Sequence, residues 1–286
     1  ELQSRVTVRL PEYEKNEAYW VVDNVNYDTV KWTYNDGKDP DGLFKQFEDG
    51  TLSAARVYPN SPGYQDVLAA HPDGVTWSLP GGSTFNVTFN FNRGTFDATS
   101  KTSEAQQTDT QKAISNCDFR LAVLFGFDTR SYRAQNVGDE GAERGLRNTL
   151  VPTQFVSVDG KPFGDAVETK LRALDADAFG DVELEEGQDG YYNPEKAKQY
   201  VEKARKDLEA DGVTFPIHLD IPVNSNAEVA VNQVKSLKST IESSLGTDNV
   251  VIDIQMLSED AYLQATYQAT TGAAGDFDIS NASGWG

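Results

Sequence analysis

The sequence predicts an α/β fold, a mixed, largely parallel sheet flanked by helices. Three observations carry that reading. In the last third, apolar runs with strand character at 215–221, 250–254 and 277–279 alternate with helical patterns at 229–245 and from Ser258-Glu259-Asp260. This strand–helix alternation is the pattern of a layered α/β lobe, because parallel strands need a crossover long enough to hold a helix. The helical patterns are punctuated where they should be, by Gly212, Gly246 and Ser258. Finally, 286 residues suffice for one large domain or two small ones, with a sizeable core in either case.

From the amino end, residues 6–10 alternate apolar and polar side chains, the period of a half-buried strand, and Pro11 ends them. Residues 27–34 repeat the alternation. Leu43, Phe44 and Phe47 share one helical face between Pro40 and Asp49, and Gly50 supplies the stop. Residues 54–57 form a short strand candidate; 77–79 and 85–91 are clearer ones, parted by the turn-forming Pro80-Gly81-Gly82. Residues 97–115, rich in Thr, Ser and Gln, read as a loop leading into a helix over 117–132. There Phe119, Leu121, Val123, Leu124 and Phe127 make a wide apolar face. Residues 138–190 carry many Gly and Asp without a clean period and read as an insertion with short elements. Asn193-Pro194 then opens a helix as an N-cap with Pro at the first position, followed by Ala197, Tyr200, Val201, Ala204 and Leu208 at helical spacing. No long-period repeat is present.

A formal net charge of −20 argues against nucleic acid as a partner, since nothing here would neutralise phosphates. The single cysteine, Cys117, excludes an internal disulfide framework and a Cys-rich metal site, and is expected to be a passive, mostly buried thiol. No stretch approaches the roughly 20 apolar residues of a membrane-spanning helix. The opening residues Glu1-Leu2-Gln3-Ser4-Arg5 lack an export-signal pattern, so any such signal is expected upstream.

Catalytic chemistry is hard to place. There is no Gly-x-Ser-x-Gly elbow, no phosphate loop ending in Lys-Ser/Thr and no His-Glu-x-x-His. His71 and His218 have no second His or Cys at ligand spacing, so no metal and no cofactor is expected. Gly37, Asp39, Asp41, Gly42 and Glu48 sit at calcium-loop positions, but Gly replaces the first Asp and Lys45 stands where a ligand should. The preferred reading is a turn and a helix capped by Asp39 or Asp41. Most of the 12 Tyr, 14 Phe and 4 Trp belong to the core, the exceptions being rings beside glycine turns, Trp285 and Tyr58. A Trp in the turn Asn281-Ala282-Ser283-Gly284-Trp285-Gly286 asks for a partner surface, so the chain reads as a piece of a larger binding protein ending in its ligand-contacting turn.

Several motifs in order resemble the family 5 extracellular solute-binding proteins. Asn16-Glu17-Ala18-Tyr19-Trp20 is similar to that family's Asn-x-x-Tyr-Trp, and Asn90-Phe91-Asn92-Arg93 to its Phe-Asn strand. Asp118-Phe119-Arg120-Leu121-Ala122 with Phe127-Asp128 looks like its Phe-Arg-x-Ala helix, here with Asp128-Thr129-Arg130 in place of Asp-Arg. Asn193-Pro194-Glu195-Lys196-Ala197-Lys198 and the closing Asp276-Phe277-Asp278 with Gly284-Trp285-Gly286 also match. Tyr58-Pro59 and the long insertion look most like oligopeptide-binding lipoproteins of Gram-positive bacteria.

The resemblance implies a periplasmic-binding-protein-like lobe: residues 1–286 as most of the second lobe of a two-lobe receptor, with an insertion at about 138–190. It implies no enzyme, but capture of extracellular oligopeptides for an ABC importer, with permease subunits as partners and a lipid anchor outside this chain. Ser283, Gly284, Trp285 and Gly286 become the foremost ligand-binding candidates, with Asn90 and Asn92 behind them. A same-fold receptor for a sugar, nickel chelate or signal molecule, and a carbohydrate hydrolase, remain the alternatives.

Overall fold

The computed structural model describes residues 12–78, 81–152, 155–184 and 187–285, the last three as backbone. The chain divides into two compact units, 1–36 and 37–286. In the first, β1 (Glu12–Glu14) pairs antiparallel with β2 (Thr29–Lys31), placing Tyr13 opposite Val30. The strand expected at 27–34 is thus present at its centre, while the one expected at 6–10 lies outside the described residues.

The second unit opens with α1 (Gly42–Glu48) and α2 (Tyr64–Ala70), followed by β3 (Thr84–Phe89). The calcium-like loop is a turn whose carboxylates are already engaged. Asp39 pairs with Lys45 at 2.7 Å and accepts the Asp41 amide at 2.9 Å, and Asp41 accepts the Gly63 amide at 3.0 Å. Neither Asp caps α1 through its side chain, a correction to the sequence reading. No group of three metal-ligating residues occurs among the described residues.

Three helices follow where a loop and one helix were expected: α3 (Glu104–Ser115), α4 (Cys117–Gly126) and α5 (Thr129–Ala142). Polar composition hid α3, but its start is well capped: Ser103 accepts the Gln106 amide, and Gln106 accepts the Thr102 amide in return. Asn116 and Asp128 cap α4 and α5, dividing the expected single helix. Cys117 is exposed, not buried, because it opens α4 ahead of its first buried position, Phe119. The 138–190 region holds a two-residue hairpin, β4 (Ser157–Val158) with β5 (Lys161–Pro162), then α6 (Phe163–Leu174) and α7 (Ala176–Phe179).

The last third adheres closely to its sequence pattern. α8 (Pro194–Ala210) starts on the Asn193 cap; β6 (Ile217–Asn224), α9 (Glu228–Leu245) and β7 (Val250–Leu257) form a βαβ unit. β6 and β7 are parallel in unbroken register from Ile217↔Val250 to Asn224↔Leu257. After α10 (Glu259–Ala265), the final strand differs from expectation. β8 (Ile279–Trp285) pairs antiparallel with β3 and does not extend the parallel ladder. The two ladders meet at one point, where the Asp278 amide donates to the Asp220 carbonyl at 3.1 Å. The short strands expected at 54–57 and 77–78 are irregular; residue 79 lies outside the described residues.

The core fills the space between α4, α8, α9 and the β6–β7 pair, with Phe119, Phe125, Leu219, Ile221, Leu237, Ile241 and Ile252 fully buried. Helix α4 crosses α9 so closely that a Cβ on Gly126 would stand 2.3 Å from Leu245 Cδ1, which is why that position carries glycine.

Candidate ligand-binding site

The candidate residues at the chain's end lie on β8. Its register places Ser283 opposite Asn86, Gly284 opposite Phe85 and Trp285 opposite Thr84; Gly286 lies outside the described residues. The register slips by one between Asn86 and Thr88, so Asn281 and Ala282 together oppose Val87. Such a bulge bends a strand and re-aims the residues beyond it. Among the described residues β3 and β8 form a two-stranded ladder, so the other edge of Ser283–Gly284–Trp285 carries no strand partner. An unpaired edge presents backbone donors and acceptors to any extended chain that comes alongside.

The foot of β8 is held by a buried ionic cluster that the sequence reading missed. Arg93, at the end of the β3 loop, reaches three carboxylates: Asp220 on β6 at 2.7 Å, Asp278 at 2.9 Å and Asp276 at 2.8 Å. Lys101 pairs with Asp220 at 2.7 Å and with Asp278. Asp220 further accepts the Thr99 hydroxyl at 2.6 Å, the Ser100 amide at 3.1 Å and the Gln255 amide at 2.7 Å. Burial pushes the Asp220 carboxyl up, but the Lys101 charge and the bonds from Lys101, Thr99 and Ser100 outweigh it and hold the group down at about 2. For Arg93, burial works against the charge and the facing aspartates overcome it, leaving its pKa raised. Buried charges survive only when paired and hydrogen-bonded, and here each cation meets at least two carboxylates. One signal for this cluster was legible: Asp220 and Asp278 each interrupt an apolar strand at a position that must face inward.

Asn90 and Asn92 part company. The buried Asn90 amide donates to the carbonyls of Gly272 (2.7 Å) and Gly275 (3.2 Å), and its oxygen accepts the Asn92 amide at 3.1 Å. Its side chain therefore fastens the 272–275 turn, while Asn92 is exposed. Beside the bulge, Asn281 donates to the Tyr132 hydroxyl at 2.7 Å, and Tyr262 stands edge-on to Tyr267 with ring centres 6.3 Å apart. Burial, then the neighbouring Tyr267 and Tyr132, push the Tyr262 phenol up to about 12, so its hydroxyl stays neutral. Tyr132 thus brings an aromatic ring with a polar tip to β8 at Asn281. Tyr58, the other ring singled out beside a turn, lies under the Arg56 guanidinium at 4.9 Å.

A family model described as bacterial extracellular solute-binding proteins, family 5 (middle), matches residues 2–286. The chain is 45% identical over 285 residues to the oligopeptide-binding protein AliA of Streptococcus pneumoniae, covering 100% of this chain and 43% of AliA. It is 44% identical to the oligopeptide-binding protein SarA of Streptococcus gordonii, covering 96% of this chain and 41% of SarA. It thus spans less than half the length of these relatives. In fold it is similar to peptide-bound OppA of Listeria monocytogenes, with a TM-score of 0.60 at 17% identity over 96% of this chain and 43% of that one. The pheromone receptor PrgZ gives a TM-score of 0.59 at 18% identity, with the same coverage. With the α/β fold, the ordered motifs and the full-length family match in agreement, the chain belongs to the family 5 bacterial extracellular solute-binding proteins.

Proposed function

We propose that this chain forms most of the second lobe of a two-lobe extracellular receptor that captures oligopeptides for an ABC importer. The receptor performs no chemistry on its ligand, is held at the membrane by a lipid anchor outside this chain, and hands its peptide to permease subunits. The observation that carries the reading is the open edge of β8 beyond its bulge, on a chain 45% identical to a protein named as oligopeptide-binding. A receptor for many peptides must rely on the main chain that all peptides share, and a free strand edge supplies that interaction without regard to side chains. Gly284 lets the ligand backbone approach closely, the small Ser283 leaves that strand edge open, Trp285 packs on the peptide, and Gly286 follows as the last candidate. Asn92 is the better placed of the two asparagines to reach a ligand, because Asn90 is committed to the 272–275 turn.

The test uses the full-length protein and a mixed peptide library in a calorimeter. Saturable heat is expected for the wild type, and Trp285→Ala is expected to weaken binding by about 1–3 kcal/mol, as loss of an aromatic anchor does. The melting temperature of the unliganded variant should hardly change. Unaltered peptide affinity together with a large fall in melting temperature would place Trp285 in the scaffold and remove it from the site.

A further inference from the structure

The β6–β7 ladder leaves one edge of β7 without a strand among the described residues. The register tells which backbone groups lie on that edge. In a parallel pair the amide and carbonyl of one residue point to the same side, and successive residues alternate sides. The Ile217 amide donates to the Asn249 carbonyl at 2.9 Å, and the Ser225 amide to the Leu257 carbonyl at 2.8 Å. Odd-numbered residues of β7 therefore face β6. Val250, Ile252, Ile254 and Met256 turn their amides and carbonyls to the open edge.

The chain itself closes part of this edge. The Val250 amide donates to the Gly246 carbonyl at 3.1 Å. At Ile252 both groups are taken: the amide donates to Glu242 Oε1 at 2.8 Å, and the carbonyl accepts Lys238 Nζ at 2.6 Å. Lys238 and Glu242 also pair with each other at 2.6 Å on α9. Together they offer one donor and one acceptor, as a residue of a neighbouring strand would. A lysine four residues ahead of a glutamate is the less favourable order for a helix, so helix stability does not explain the pair. Among the described residues no such contact reaches Ile254 or Met256, and Met256 is 50% exposed. The sequence of β7 suits pairing with its own kind. Four of its eight residues are β-branched, and it holds no Gly and no Pro. Its one charge, Asp253, is paired with His218 at 2.7 Å, so two copies would bring no unpaired like charges together along the edge. A two-fold axis would set two β7 edges antiparallel, each presenting the same donors and acceptors. Charged side chains are a common means of blunting such an edge.

We propose that the Lys238–Glu242 clasp is an autoinhibitory contact that keeps the β7 edge from pairing with the β7 of a second copy of this chain. The test is size-exclusion chromatography with light scattering on the full-length protein. The wild type should be monomeric. The double variant Lys238→Ala, Glu242→Ala keeps good helix formers at both positions and should double the mass at concentrations where the wild type is a monomer. Adding Met256→Pro should restore the monomer, because that amide faces the open edge and its loss spares the β6 ladder. A wild-type dimer overturns the proposal, as does a dimer that survives Met256→Pro. So does a double variant that stays monomeric, as it would if another segment of the full-length protein lay along the edge. Large aggregates without a cooperative melt would mean that the variant has not folded, and hydrogen exchange on the wild type then decides. The Ile252 amide should exchange about tenfold or more slower than those of Ile254 and Met256, which face the same side without the clasp. Equal rates at the three positions would overturn the proposal.

Discussion

Arg93→Met is expected to destabilise the protein by about 3–5 kcal/mol, the loss typical of breaking a buried charge network by removing one partner. The Arg93 side chain is wholly buried, and all its nitrogens are engaged. Nε donates to the Thr95 carbonyl at 2.8 Å, Nη2 to the Ala98 carbonyl at 3.1 Å and to Asp276 at 2.8 Å, and Nη1 donates to Asp220 and is ion-paired with Asp278 at 2.9 Å. Met keeps most of the volume and none of these bonds. Asp220 and Asp278 would then face Lys101 alone, and Asp276 would keep no cation among the described residues, all of them buried. Urea titration reads the change directly. Because Asp276 and Asp278 precede β8, the same substitution should also weaken peptide binding by the full-length protein under conditions where the variant remains folded. A loss below about 1 kcal/mol, the value of an exposed ion pair, would mean that the cluster does not anchor the strand.

The same cluster sets an acid limit. The Asp220 carboxyl sits at about 2 in the fold, below its ordinary value of 3.8. A depressed carboxylate contributes its stability above the unfolded pKa and loses it as pH falls through the folded one, since the unfolded chain then binds more protons. The contribution should therefore be complete above roughly pH 5, decline from about pH 4 towards pH 2, and amount to about 2 kcal/mol. Many exposed carboxylates titrate in the same range, so the informative quantity is the difference between wild type and Asp220→Asn. The wild type should lose more stability than the variant between pH 5 and pH 2, and parallel curves would refute the assignment.

Whether an element was legible in the sequence depended on how local its signal is. The βαβ unit of β6, α9 and β7 was legible because each element carries its own period and its own stop, such as Gly246 at φ +87° after α9. Helix α3 was not, since only Thr110, Ala113 and Ile114 of its twelve residues are buried and its start depends on side-chain capping. β8 was placed near its true position but given the wrong neighbour. Its partner β3 is some 190 residues away in sequence, and no local pattern encodes that pairing. The end of β8 was singled out as a candidate site because a Trp between glycines asks for a partner surface. The supports beneath it were not recognised, although Asp220 and Asp278 in apolar strands asked for buried cations.

Phe125→Ala should destabilise the protein about as much as Arg93→Met, by about 3–5 kcal/mol, yet leave the ligand site alone. Phe125 is fully buried where α4 meets α7 and α8, with Tyr200 and Phe179 ring centres at 5.6 and 6.1 Å and the Lys196 ammonium 5.4 Å from its own ring centre. Removing the ring opens a cavity that cannot close, since α4 is already pressed onto α9 through Gly126, and the Phe125 carbonyl is tied to the Asn193 amide at 2.8 Å. The loss therefore falls in the helical layer, away from the β3–β8 ladder. With both variants assayed well below their melting temperatures, Phe125→Ala should bind peptide like the wild type and Arg93→Met should not. This comparison separates general stability from the specific support of β8, because two substitutions of similar thermodynamic effect differ in whether β8 loses its anchor. Equal loss of affinity in both would mean that the open edge of β8 depends on the whole lobe, and that the ionic cluster has no privileged part in holding it.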